Sequence, residues 1–224
     1  MNKKIRIKTI ILDFDGTIAD TKDSIIQTIQ ATLDELGIQR ANESDIKNLI
    51  GLPLRETFVR VAHLTDRNMQ EKAIALYREK YNQISLNTVK LFPDVKETLK
   101  GLHDNGLTIT VASGKGKEAL LNLLDRMGIA RYISLVFGEQ DVKNKKPAPD
   151  MALLILEKTN SSPQETLVVG DTVYDMAMGQ EAGCITCGVS YGNHTEEQLK
   201  SRNPDFIIGK FAEITGIIGE IYQL

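Results

Sequence analysis

The chain has 224 residues, of which 42% are hydrophobic and 25% are charged, and its formal net charge is −3 at pH 7. This length fits one α/β domain, or a domain with a sizeable insertion, and suffices to bury a full core. The acidic balance argues against nucleic acid as the main partner, because binding the phosphate backbone needs a basic surface.

The sequence shows no sign of membrane insertion or secretion. No apolar run approaches the roughly 20 residues of a membrane span. The first residues are basic but lead straight into a strand pattern, without the apolar stretch and cleavage site of a signal peptide. We therefore expect a cytoplasmic protein without a membrane partner, either a monomer or a small homo-oligomer.

The predicted elements begin with a strand and a long helical block. Residues 9–12 are β-branched or aliphatic, as is typical of a strand buried on both faces. Between residues 21 and 90, apolar side chains recur every three or four positions without a strand pattern. This periodicity predicts helices at 21–37, 43–50, 54–64 and 66–84. The block is much longer than an ordinary crossover, so we expect a helical insertion directly after the first strand.

From residue 92 onward, strand patterns alternate with helix patterns. The predicted strands are 107–112, 133–137, 167–169, 184–189 and a short edge strand at 205–208. The predicted helices are 94–105, one that follows Gly116 and ends at Met127, 147–158, 173–182 and one at the C-terminus. This alternation predicts a mostly parallel sheet with helices on both faces. We expect an α/β protein with a Rossmann-like core from residues 1–19 and 92–224 and an α-helical cap from residues 20–91.

The cysteines have a spacing that can indicate chemistry. Cys184 and Cys187 form a C-x-x-C pattern, which occurs in redox sites and in zinc half-sites. They lie in a predicted strand, where residues three apart face opposite sides of the sheet. A second pair of metal ligands is also missing, so we interpret both cysteines as structural.

Polar groups gather where the predicted strands end. In an open α/β sheet the ligand lies beyond the carboxyl ends of the strands. The groups at these ends are Asp13 and Asp15, Ser113 with the backbone N–H groups of Gly114 and Lys115, Lys146 in the 143–149 loop, and Asp171 with Asp175. Neighbouring carboxylates suit a magnesium ion, and lysine and backbone N–H groups suit a phosphoryl group. Together they predict a phosphoryl-transfer site.

Each of these groups alone is also compatible with a simpler role. Aspartates and glycine after a strand are common in solvated turns. Ser113 and Asp171 could each cap the helix that follows. The lysines of the loop could be solvated, which is the better interpretation for Lys143 and Lys145. The combination, rather than any one group, indicates catalysis.

Four segments resemble the motifs of a known family. DFDGT (13–17), VASG (111–114), KKPAPD (145–150) and GDTVYD (170–175), in this order, resemble the four motifs of the haloacid dehalogenase-like superfamily of phosphohydrolases. A helical cap after the first motif is similar to the subgroup of phosphoglycolate phosphatase, a pyrophosphatase and β-phosphoglucomutase. IGLPLRET and YGNHTEEQLKSRNPDFII resemble the phosphoglycolate phosphatase branch. The resemblance covers nearly the whole chain.

The resemblance implies a magnesium-dependent phosphomonoesterase that acts on a small phosphorylated metabolite in two steps. Asp13 would be the nucleophile and form an aspartyl-phosphate. Asp15 would protonate the leaving group and then activate water. Magnesium would be held by Asp13, by the main-chain carbonyl of Asp15 and by Asp171.

The other matched residues would bind the substrate or support the site. Ser113 and the Gly114 N–H would hold the phosphoryl group, and Lys146 would balance its charge. Asp175 would be a partner of Lys146 or of a metal-bound water rather than a direct metal ligand. Thr17, which we assign to the substrate-binding set, would help to fix its loop.

The cap and its 51–54 loop would recognise the leaving group of the substrate. Arg55 follows the 51–54 turn and could pair with a carboxylate or second phosphate of the substrate, although it could also be an ordinary helix-surface arginine. Among the histidines, we expect His63 to be partly buried in the cap, and His103 and His194 to lie at the surface.

Departures from the family pattern leave alternatives open. Gly114 stands where phosphatases of this branch commonly have Asn. Asp15 is present, which excludes the dehalogenases, since these lack the second aspartate. The mutase has a histidine early in its cap, and residues 21–26 contain none. A pyrophosphatase, a phosphomutase and a non-catalytic binding module remain as alternatives, and the intact set of motif residues argues against the last.

Overall fold

The computed structural model describes residues 6–221, without the side chains of residues 220 and 221. In this part of the chain the main sheet has six parallel strands in the order β5–β4–β1–β6–β7–β8. They are β1 (Thr9–Leu12), β4 (Thr108–Ala112), β5 (Leu135–Phe137), β6 (Thr166–Gly170), β7 (Ile185–Val189) and β8 (Phe206–Ile208). All four residues of β1 are buried, because β4 and β6 flank it and both faces of the sheet are covered.

Helices cover both faces of this sheet, as predicted. They are α5 (Val95–Asp104), α6 (Lys117–Arg126), α7 (Asp150–Thr159), α8 (Val173–Glu181), α9 (Glu196–Lys200) and α10 (Ile214–Ile221). Ile10 and Leu12 of β1 belong to one apolar cluster and Ile11 to another, as the alternation of side chains along a strand requires. Cys187 of β7 packs in the first cluster and Cys184, directly before β7, packs in the second, so the predicted divergence of the two buried, free thiols is confirmed. Burial raises the pKa of Cys184 to about 11 and that of Cys187 to about 12.

The insertion after β1 forms the four predicted helices. They are α1 (Lys22–Glu35), α2 (Glu43–Asn48), α3 (Leu54–Ala62) and α4 (Arg67–Thr88). The carboxylate of Asp66 accepts a hydrogen bond from the Met69 N–H at 2.8 Å and so caps α4. Phe58 of α3 and Tyr77 of α4 meet edge to face, with ring centroids 6.2 Å apart. The helices therefore share an apolar interior, as their periodicity predicts.

A short ribbon that sequence analysis missed lies where the insertion meets the core. Strand β2 (Ala19–Asp20) pairs antiparallel with β3 (Lys90–Leu91). Strands of two residues are too short to show any periodicity, which explains why no pattern indicated them. The predicted domain boundary at 19/20 falls inside β2 and the one at 91/92 falls directly after β3, and this division into domains stays a prediction.

Proline explains why one predicted helix begins late. The helix predicted over 147–158 begins only at Asp150. Proline lacks an N–H and disfavours helical backbone in the residue before it, so Pro147 and Pro149 keep this segment in a turn. No helix in the described part of the chain is both long and apolar enough to span a bilayer.

Candidate active site

The ends of three adjacent strands bring together the residues predicted for the site. Asp13 follows β1, Ser113 follows β4 and Asp171 follows β6, and β1 lies between the other two. Beyond Asp15 the chain turns at Gly16, whose φ of +90° suits glycine. A side chain at position 16 would overlap the carboxylate of Asp171. Glycine is therefore needed for the loop after β1 to lie against Asp171.

A buried lysine joins two of three clustered aspartates. The carboxylates of Asp13, Asp171 and Asp175 are all buried, with oxygens within 4.8 Å of one another. Lys146 Nζ lies 2.7 Å from Asp13 Oδ1 and 2.5 Å from Asp175 Oδ1. Burial alone would lower the pKa of Lys146, but the two carboxylates outweigh burial and raise it. Lys146 is therefore a fixed cation inside the cluster.

The cluster has more negative charge than Lys146 can balance. Burial, followed by the charge of Asp175, raises the pKa of Asp171 to about 7. Burial also raises the pKa of Asp13, although Lys146 opposes this shift. Asp13 Oδ2 is buried without a hydrogen-bond partner. Buried polar atoms nearly always have a partner, so this oxygen marks a place where a cation fits.

Asp171 and Asp175 are held in fixed orientations. Asp171 accepts hydrogen bonds from Thr17 Oγ1 at 3.1 Å and from the backbone and side-chain nitrogens of Asn193 at 2.7 and 2.8 Å. One oxygen of Asp175 binds Lys146, and the other accepts from Thr172 Oγ1 at 2.6 Å as part of the cap of α8. Both oxygens of Asp175 are thus in use, which favours its predicted supporting role.

Asp15 lies apart from the cluster. Its Oδ1 is 3.2 Å from Lys115 Nζ, and its main-chain carbonyl accepts a hydrogen bond from Asn193 Nδ2 at 3.3 Å. The side chain of Lys115 is 9% exposed, and its ammonium lies 4.2 Å from the ring centroid of Tyr81 on α4. From the sequence, only the backbone N–H of Lys115 is expected to contribute to the site. Its position directly after the Ser-Gly turn was the available signal for its side chain.

Ser113 and Gly114 form the floor beneath the cap. The Lys115 N–H donates to Ser113 Oγ at 3.2 Å, which leaves the hydroxyl hydrogen of the buried Ser113 available to another acceptor. A Cβ at Gly114 would lie 2.6 Å from the carbonyl oxygen of Gly51 and 3.3 Å from that of Leu52. The cap loop therefore packs directly on Gly114, which gives a physical reason for glycine where asparagine is common.

A cavity of about 260 Å³ separates the cap from the core at this point. Asp15, Gly114 and Lys115 line it from the core side, and Tyr77 and Tyr81 line it from the cap side. Asp13 is not part of the lining. Asp15 thus stands between the buried cluster and the cavity.

Two predicted substrate-binding residues lie against protein groups. Arg55 donates to Gln70 Oε1 at 2.9 Å and to Glu71 Oε1 at 2.5 Å, so it connects two cap helices and does not line the cavity. The hydroxyl of Thr17 binds Asp171, in line with the expectation that it fixes its loop. A direct contact of either residue with substrate stays a prediction.

Other polar residues depart from expectation. The prediction of a surface position for His194 was wrong, because it is 3% exposed and connects the core to the cap. Its Nδ1 accepts from the Val173 N–H at 3.2 Å, which assigns the proton to Nε2, 3.1 Å from the Asn48 carbonyl oxygen. His63 is exposed rather than partly buried. Lys145 is not simply solvated, since its ammonium donates to backbone carbonyls of its own loop.

Comparisons with known proteins place the chain in a family. The family model of the haloacid dehalogenase-like hydrolases matches residues 10–189. The chain is 33% identical to the phosphoglycolate phosphatase of Yersinia pseudotuberculosis, over 95% of this chain and 94% of that protein. It is 32% identical to the pyrophosphatase PpaX of Bacillus pumilus, over 95% of this chain and 97% of that protein.

A solved structure shows the same fold over nearly the whole chain. The crystal structure of a predicted phosphoglycolate phosphatase from Haemophilus somnus superposes with a TM-score of 0.86 and 26% sequence identity. The superposition covers 94% of this chain and 97% of that one. The chain therefore belongs to the haloacid dehalogenase-like hydrolase family.

Proposed function

We propose that the protein is a magnesium-dependent phosphomonoesterase that hydrolyses a small phosphorylated metabolite through an aspartyl-phosphate. The observation that carries this proposal is the state of Asp13, which has one oxygen on Lys146 and the other buried without a partner. The names of the relatives, phosphoglycolate phosphatase and pyrophosphatase, support a small phosphorylated substrate.

The acidic cluster fits a magnesium ion. Asp13 and Asp171 with the main-chain carbonyl of Asp15 would supply oxygen ligands, which Mg²⁺ prefers. The unpartnered Oδ2 of Asp13 and the raised pKa of Asp171 both indicate a place for positive charge. When bound, the ion would neutralise the carboxylates and the phosphoryl oxygens.

The protein groups have complementary roles in two displacements. In the first, a carboxylate oxygen of Asp13 forms a bond to phosphorus, the ester P–O bond breaks, and Asp15 gives a proton to the leaving oxygen. In the second, Asp15 takes a proton from a water molecule, whose oxygen attacks phosphorus and releases the Asp13 carboxylate. Phosphate then leaves.

Fixed donors stabilise the charge of the phosphoryl group. The free hydroxyl hydrogen of Ser113 and the Gly114 N–H would bind its oxygens, and Lys146 would balance its charge. Lys146 is held between Asp13 and Asp175, so little reorganisation is needed during reaction. The cap above Gly114 would exclude water from the leaving group.

Phosphate release from a panel of substrates tests the proposal. The native chain should release phosphate from at least one phosphate monoester with Mg²⁺ and lose this activity with EDTA. Preference for pyrophosphate would favour the pyrophosphatase alternative, and isomer interconversion of sugar phosphates without release would favour the mutase. Release from no member of the panel would contradict a phosphatase.

We expect Mg²⁺ to change the pH dependence of stability. The pKa of Asp171 is about 7 in the folded protein, against an ordinary value of 3.8, so the folded state binds more protons between these values. The contribution of Asp171 protonation to the free energy of unfolding is then complete below about pH 4 and is lost as pH rises through about 7. Mg²⁺ replaces these protons, so it should raise Tm more at neutral than at mildly acidic pH.

Thermal unfolding in EDTA and in MgCl₂ across the pH range, for the native chain and Asp171→Asn, measures this effect. The surface carboxylates are the same in both proteins, so the difference in Tm between the native chain and the variant reports the titration of Asp171 alone. An identical pH dependence of Tm in the two proteins would contradict the predicted protonation of Asp171.

We expect Gly114→Asn to lower kcat/KM by roughly tenfold or more, because its Cβ would collide with the carbonyl of Gly51 and keep the cap loop from seating. Tm should change little, since the cap can withdraw. Gly209→Asn is the matched control, because nothing lies within 4 Å of a Cβ at that position. Equal kcat/KM for Gly114→Asn and the native chain would show that turnover does not need this contact.

A further inference from the structure

The cavity between cap and core is the compartment for the leaving group. Asp15, the proposed acid, lines it, whereas Asp13, the proposed nucleophile, lies outside its lining. A group released from phosphorus would therefore enter this cavity as Asp15 protonates it. The volume of about 260 Å³ corresponds to roughly nine molecules of liquid water.

Much of the wall of this cavity is apolar, and polar side chains such as Asn82, Asn122 and Gln140 line the rest. Aliphatic side chains line it at Ile25, Ile29, Ile46, Leu49, Ile50, Leu52 and Leu54. Two tyrosine rings of α4, Tyr77 and Tyr81, stack on one another with centroids 5.6 Å apart, and both residues line the cavity. Such a surface favours an apolar group, because burying it removes apolar area from water.

Two of the polar residues in the lining, Tyr81 and Lys115, lie side by side and could recognise an oxygen atom. Tyr81 is 4% exposed, and its hydroxyl has no hydrogen-bond partner among the described residues. The ammonium of Lys115 lies near the same ring and is held by Asp15. Arg78, another cation of the lining, already pairs with Glu139 at 3.1 Å. An acceptor oxygen on the leaving group would give the Tyr81 hydroxyl its missing partner and share the charge of Lys115.

We propose that this cavity selects phosphate monoesters whose leaving group combines an apolar body about the size of a ring with an anionic oxygen that binds Tyr81 and Lys115. This inference rests on the proposed phosphatase function. A dry cavity of about 150 Å³ is enough for benzene, so the present volume accommodates a ring with a substituent. Glycolate, released from phosphoglycolate, would reach the polar groups but leave most of the apolar wall facing water.

Three substrates separate the two parts of this proposal. 3-Carboxyphenyl phosphate has the ring and the carboxylate, phenyl phosphate has only the ring, and phosphoglycolate has only the carboxylate. The two aryl esters have leaving groups of similar acidity, so their comparison reports binding. With the full chain and Mg²⁺, we expect kcat/KM for 3-carboxyphenyl phosphate to exceed both others by roughly tenfold or more.

Variants then test the two recognition groups. In Tyr81→Phe and in Lys115→Met, we expect the kcat/KM ratio of 3-carboxyphenyl to phenyl phosphate to fall roughly tenfold. Tyr81→Phe removes an unpartnered hydroxyl, so its Tm should not fall. Tyr132→Phe and Lys117→Met are matched controls outside the cavity lining, the latter losing its pair with Asp141 and its contact with the Phe137 ring, and both should keep the native ratio.

The outcomes distinguish this inference from the proposed function. An unchanged ratio in both cavity variants, or a higher kcat/KM for phosphoglycolate than for either aryl ester, would overturn the inference and leave the phosphatase standing. If phosphate is released from none of the three and from no other ester tried, both the inference and the proposed function are overturned.

Discussion

The substitution Asp13→Asn should abolish phosphate release. An amide is too poor a nucleophile to displace the leaving group, so we expect kcat/KM of Asp13→Asn to fall by roughly ten-thousandfold or more. The fold should persist, because Asn has nearly the same shape and Lys146 keeps its pair with Asp175. Phosphate release and thermal unfolding of both proteins measure the two effects.

A surface substitution of the same type provides the control. Asp94→Asn makes the same chemical change at an exposed position with φ of +62°, a conformation that Asn tolerates. It should keep native activity. Mass spectrometry of the acid-quenched native reaction should also find a phosphoryl group on the peptide that contains Asp13. Turnover by Asp13→Asn close to the native rate would contradict the role of Asp13 as nucleophile.

The main features of the site could be predicted because they depend on local sequence. Strand and helix patterns alternate clearly after residue 92, and this alternation requires a parallel sheet whose carboxyl ends meet at one edge. Asp13, Ser113 and Asp171 each follow such an end, so their approach follows from topology alone. Lys146 precedes a proline in a loop and was assigned from its motif, and its ammonium reaches Asp13 in the structure.

Features that depend on distant partners could not be predicted in the same way. Asn193 binds Asp171 from 22 positions away, and only folding brings the two together. His194 lies in a polar segment typical of a surface loop, but its Nε2 contacts the carbonyl oxygen of Asn48 in the cap, 146 positions earlier. The sequence predicts an anionic group of the substrate as the partner of Arg55, but in the structure its partner is Glu71. Pairing between α-helices of a cap leaves no signal in the periodicity of either helix.

Lys146→Met should destabilise the protein by about 3–5 kcal/mol, because it leaves Asp13 and Asp175 buried without a cation. Phosphate release should be lost as well. Urea unfolding in EDTA gives the free energy of unfolding without a contribution from metal. Lys143→Met, at an exposed position of the same loop, should stay within about 0.5 kcal/mol of the native chain.

A second substitution separates the loss of charge balance from a loss of packing. Asp175→Asn in the Lys146→Met background removes one uncompensated charge and leaves the methionine in place. If charge is the cause, the double variant should be more stable than Lys146→Met, although removing a second polar partner ordinarily destabilises a protein. If the double variant is less stable instead, the lysine stem and its packing would account for the effect, and the electrostatic account of the cluster would be wrong.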